Sequence, residues 1–202
     1  IYTLPTHTYI KHISYLVSMT ELFIIGRIIW TWKSTLTEAQ KHFHHTSFRF
    51  ILAADIWVFL TLLLATAMSV PAINVYTHGT HVTVAHTMGA TIGINSLLLI
   101  AMFTDISGWD TTPESKSGKW IFRGYILTNL SLFIFWISLI VAGVLKSHWQ
   151  MMDQRTPFST MMLGLRPVFI VFLIAGISLM IGMWMILFPL MRRLWSASYQ
   201  KR

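Results

Sequence analysis

Three histidines, His78, His81 and His86, fall among Thr77, Thr80, Thr83 and Thr87, and Met88 stands two positions beyond the last of them. Histidine and methionine are both axial ligands of haem iron. If this stretch is helical, each residue advances about 100°, so His86 and Met88 lie about 200° apart on opposite faces. A helix with a ligand on each face can sit between two flat macrocycles. A plainer reading competes with it. Taken alone, His86 is equally well a helix–helix hydrogen-bonding histidine, and Met88 is one of twelve methionines, for which core packing suffices. Gly89 and Gly93 are expected to leave room for a flat ring, which favours ligation at His86. His78 and His81, about one turn apart, can pair on a metal. At a haem edge near a helix start they would instead hydrogen-bond carboxylates.

The elements that must hold these residues follow from composition. The chain has 202 residues, 54% of them hydrophobic and 11% charged, with a mean hydropathy of +0.61. Soluble domains carry about 25% charged residues, so this is a membrane protein. Spanning takes about 20 apolar residues, and five such segments are read at about 10–32, 48–70, 80–104, 120–145 and 166–190. No repeat or separate soluble domain interrupts them. The fold class is all-α: a polytopic bundle of five transmembrane helices in a single membrane domain, residues 1–202. Trp30, Trp32, Trp109, Trp120 and Trp195 fall near segment ends, as an interfacial aromatic belt requires. The chain has no cysteine, which excludes disulfides, thiolate metal sites, iron–sulfur clusters and covalently attached haem within it.

A net charge of +8 raises the question of nucleic acid. The basic residues lie at segment ends rather than along one soluble face, so they are topology signals and no nucleic-acid partner is expected. One side of the membrane carries Lys33, Lys41, Arg49, Lys116, Lys119, Arg123, Arg192, Arg193, Lys201 and Arg202. The other carries Lys11, Lys146, Arg155 and Arg166. That asymmetry places the C-terminus in the cytoplasm and His78 and His81 near the outer face.

Among the remaining polar residues, Glu21 lies mid-span on one face with Ser14 and Ser18. An intramembrane carboxylate is a functional candidate by default. Burial would make it hold a proton more tightly than in water, so that it can deliver one near neutral pH. Arg27, six positions on, is poorly placed to pair with it. Asp55, nearer the cytoplasmic end, is read as a headgroup or arginine contact. His42, His44 and His45 are read as a solvated loop, and Arg166 as either a propionate or a headgroup contact.

The run from Asn74 through Val75, Tyr76, Thr77, His78, Gly79, Thr80 and His81 to His86 resembles the haem–copper oxidase superfamily, and most closely the large subunit of bacterial nitric oxide reductases. It looks like the start of that family's tenth helix. Trp32 with Lys33, and Asp153 with Gln154, are also similar to family positions. The resemblance covers essentially the whole chain, as helices eight to twelve of a twelve-helix fold. It implies that His86 ligates the iron of a high-spin haem b. The family's next ligand, two positions on, is a histidine for a low-spin haem b. Here it is Met88, which implies either His–Met ligation or a low-spin haem held otherwise. Glu21 matches a family glutamate near the non-haem metal. His78, His81 and Thr80 are implied as polar contacts at the haem edge.

The resemblance further implies reduction of nitric oxide to nitrous oxide at a haem/non-haem metal centre in the bacterial inner membrane. The main ligands of the non-haem iron or copper would precede Ile1. The chain is therefore expected to be a C-terminal part working with an N-terminal half of the catalytic subunit, and with a cytochrome c-type subunit or quinol as electron donor. Membrane lipid is the surrounding partner. Two rivals stand beside this expectation: a terminal oxidase reducing O2 on the same scaffold, and a transporter or structural membrane subunit without redox chemistry.

Overall fold

The computed structural model describes residues 7–35, 37, 40, 45–106, 115–152 and 156–199. Among these the chain is helical and contains no strand. In order come α1 (Thr8–Thr35), α2 (His45–Ser69), α3 (Pro71–Thr77) and α4 (His81–Met88). A π-helical segment (Gly89–Ser96) then leads into α5 (Leu97–Ile106), followed by α6 (Lys116–Met152), α7 (Phe158–Gly164) and α8 (Arg166–Tyr199). Among the described residues five stretches are long and apolar enough to cross a membrane: Thr8–Thr31, His45–Ser69, His81–Ile106, Lys116–Met152 and Arg166–Arg193. Hydrocarbon offers no water to satisfy exposed backbone groups, so spans that bond internally are the form such sequences take. The protein is a multi-pass membrane helix bundle. His42, His44, the 107–114 loop with Trp109, and Asp153 with Gln154 lie outside the described residues.

Two connections differ from the reading by hydropathy. The link through Asn74 is itself a helix, α3. Pro71 opens it, where a fixed φ suits the first turn. Asn74 Nδ2 donates to the Met68 carbonyl at 2.9 Å and ties α3 back onto the end of α2. The fourth span continues past residue 145 to Met152. Ser147 is buried there, and Trp149 Nε1 donates to the Thr156 carbonyl at 2.8 Å, so packing and capping extend the helix beyond its apolar run.

The tightest pairing is between α6 and α8. A Cβ placed on Gly182 would stand 2.6 Å from Thr128 Oγ1 and 2.8 Å from the Thr128 amide nitrogen, so the two backbones nearly touch. Small residues are what allow such an approach between spans. On the other side of α6, helix α2 packs against α5 and the π-helical segment, and α4 packs against α6. The buried core runs through Phe50, Trp57, Leu97, Leu132, Trp136 and Ile186. Helix α1 rests on α2, with Gly26 against the Phe59 ring at 3.3 Å from the position of a Cβ. None of its apolar window is buried, however. The C-terminal end of α1 is fixed by charge. Lys33 Nζ lies 3.1 Å from Asp55 Oδ2. The contact lacks hydrogen-bond alignment, so it is an ionic one. The arginine or headgroup contact expected for Asp55 is thus supplied by a lysine.

Candidate functional site

The site is built on the turn that starts the third span. Gly79 adopts φ 70°, the left-handed region that glycine enters without a steric penalty. Thr80 then caps α4. Its Oγ1 accepts from the Val82 amide at 3.3 Å and donates to the Thr77 carbonyl at 2.7 Å. Two residues of α6 hold the turn in place. Lys146 Nζ donates to the Gly79 carbonyl at 3.3 Å, and Gly143 lets α6 close on the start of α4. A Cβ at residue 143 would be 2.6 Å from the Val82 amide nitrogen. Thr80 therefore has a structural duty as a helix cap, whatever else it contacts.

The three histidines are placed differently. His78 is exposed, and its backbone N–H caps α3 by donating to the Asn74 carbonyl at 2.9 Å. His81 is half-buried, with its ring edge-on to Phe169 at 5.5 Å between centroids. His86 is half-buried on α4. In both His81 and His86 the Nδ1 atom is buried and has no hydrogen-bond partner. Most buried polar atoms in folded proteins are paired. The neighbouring threonines follow that rule: the Thr87 and Thr91 hydroxyls donate to the Thr83 and Thr87 carbonyls at 3.1 and 2.8 Å. These hydroxyls are satisfied by their own helix, whereas the two buried imidazole nitrogens are not. One turn to either side of His86 on its face stand Thr83 and Ala90, both small.

Directly after Met88 the helix widens into the π-helical segment. The Gly89 amide is shared between the Ala85 and His86 carbonyls. Such segments recur at functional sites in helical proteins. Here the segment also corrects an expectation about its glycines. Gly89 and Gly93 do not leave room for a macrocycle. A Cβ at Gly89 would stand 2.5 Å from Thr61 Oγ1, and one at Gly93 would stand 2.5 Å from Trp57 Cγ. Their space is filled by α2. The four-residue spacing of the two glycines is itself the sequence signal for close helix packing.

Met88 is half-buried and packs against the core cluster that includes Trp57, Ala85 and Trp136. Glu21 is exposed on the flank of α1, so this chain does not itself provide the burial expected for it. The adjacent Ser18 hydroxyl turns back to the Ser14 carbonyl at 3.1 Å. Arg166, at the start of α8, is exposed. Among the described residues no three His, Asp or Glu side chains converge to hold a metal ion.

A polar group in the core was missed by sequence reasoning. Trp57 Nε1 donates to Asn129 Oδ1 at 3.1 Å, and Asn129 Nδ2 donates to the Tyr125 carbonyl at 2.9 Å. Thr61 Oγ1 and Trp136 Nε1 lie unpaired beside Gly89. The available signal was Asn129 itself, an amide in the middle of an apolar span. Comparison with family models, curated proteins and solved structures returns no match to this chain.

Proposed function

We propose that this chain forms the C-terminal part of a haem-bearing respiratory catalytic subunit of the haem–copper oxidase superfamily, reducing nitric oxide to nitrous oxide in the bacterial inner membrane. The observation that carries the reading is His86, a half-buried intramembrane imidazole with an unpaired Nδ1 and small residues on its flank. The likeness of residues 74–86 to nitric oxide reductases adds the reaction. His86 would hold the iron of the high-spin haem b, and the low-spin haem would be held either through Met88 or otherwise. The main ligands of the non-haem iron or copper would come from the N-terminal half of the subunit. The C-terminus is assigned to the cytoplasm by its basic residues, and the donor is a cytochrome c-type subunit or a quinol.

Bound haem supplies the redox chemistry, while protein groups set ligation, polarity and proton supply. Two nitric oxide molecules, two electrons and two protons give nitrous oxide and water. Within this chain, the capped turn at Thr80, held by Lys146, fixes where α4 begins and hence the height of His86 in the span. His78 and His81 stand at the outer end of that helix, where they can donate to carboxylates. Glu21 is the one carboxylate near the middle of α1, and we assign it to proton delivery.

The test is a pyridine haemochrome assay on the native complex, with His86→Ala beside it. That assay is expected to find haem b in the native protein, and the absorption spectrum of the untreated variant is expected to lose the high-spin haem and keep the low-spin one. Absence of haem from the intact complex removes the redox reading and leaves a non-redox transporter or structural subunit. Consumption of O2 without consumption of nitric oxide assigns the chain to a terminal oxidase.

A further inference from the structure

At the end of the bundle opposite the histidines, the start of α6 and the last turns of α8 enclose a groove of about 780 Å³. The described residues that line it are Lys116, Ser117, Trp120, Phe188, Pro189, Arg192 and Arg193. Among the described residues no carboxylate lines it. Lys116 begins the fourth span and Arg193 ends the fifth, so the groove lies at the level where a span leaves hydrocarbon for the headgroup layer. Trp120 and Phe188 are 47% and 48% exposed and extend the groove as an apolar wall along the helices. The ligand that matches this arrangement is anionic at one end and apolar along its length.

We propose that this groove binds the phosphate of an anionic phospholipid, with an acyl chain lying along Trp120 and Phe188. Arg192 offers a planar fork that meets phosphate oxygens in pairs, and Lys116 adds a mobile point charge. The Ser117 hydroxyl is a further donor. Basic pockets between spans hold lipid headgroups by this combination of charge and shape. A free phosphate would satisfy the cations but leave the aromatic wall uncovered, so the lipid is the better fit. This site is independent of the redox reading.

The test uses the purified native complex in detergent, titrated with phosphatidylglycerol or phosphatidylcholine and read by native mass spectrometry. Preferential binding of phosphatidylglycerol is expected. At about 1 kcal/mol per basic residue, removing one charge weakens binding about fivefold, and Lys116→Gln with Arg192→Gln about thirtyfold. A control pair, Lys119→Gln with Arg123→Gln, makes the same change in net charge on exposed positions outside the groove and is expected to bind as wild type. If the double variant fails to assemble, each single variant carries the same comparison. Equal weakening by both pairs would mean diffuse surface charge and overturn the proposal. So would equal binding of the two lipids, or displacement of the lipid by inorganic phosphate.

Discussion

Replacing Gly93 with alanine inserts one methyl where the structure has no space for it. The new Cβ would stand 2.5 Å from Trp57 Cγ, 2.6 Å from Cδ2 and 2.9 Å from Cβ. Carbon atoms settle about 3.5–4.0 Å apart, so the indole must retreat by about 1 Å. It has little freedom to do so. Trp57 is 3% exposed, packs edge-on against Trp136 at 6.0 Å, and holds Asn129 through its ring nitrogen. Overpacking of this kind is unfavourable by about 1–3 kcal/mol, and a strained hydrogen bond adds about 0.5–1.5 kcal/mol. Alanine returns about 1 kcal/mol of helix propensity. The net expectation is a destabilisation of about 0.5–3.5 kcal/mol, which in a chain of this size lowers Tm by about 1–14 °C. Thermal unfolding in detergent measures it. Gly176→Ala is the control, because its nearest neighbour, Phe135, lies at an ordinary 3.5 Å. That variant should match or exceed wild type. In a Trp57→Ala background the cost of the Gly93 substitution should vanish. If Gly93→Ala proves as stable as Gly176→Ala, the close packing of the π-helical segment on α2 is refuted.

Two further outcomes follow from charge. The Lys33–Asp55 contact joins a partly exposed ammonium to a buried carboxylate. Lys33→Gln strands the buried partner and should destabilise more than Asp55→Asn, which leaves a lysine able to reach water. The difference is expected at about 1–3 kcal/mol in the same unfolding assay, and the reverse order would refute the asymmetry. Glu21→Gln alters an exposed side chain, so stability should stay within about 0.5 kcal/mol of wild type and haem content should be unchanged. Nitric oxide turnover should fall about 10²-fold or more if the carboxylate moves protons. Full activity in that variant removes Glu21 from the mechanism.

Much of the architecture is legible in the chain because a bilayer imposes one strong rule. Apolar runs of sufficient length become spans, and the five apolar segments return as the five long helices. What hydropathy misses is decided by contacts. The end of α6 cannot be read from apolar counting, because Lys146 and Ser147 are polar yet continue the helix by packing and hydrogen bonding. The π-helical segment has no local propensity signal; it lies where Gly89 and Gly93 meet Thr61 and Trp57. That fit also changes how the candidate site is understood. The glycines were expected to open the third span to a macrocycle, and they instead close it against α2. Position and chemistry thus separate along one helix: the glycine face anchors the span in the bundle, and the imidazole face carries a buried Nδ1 without a hydrogen-bond partner.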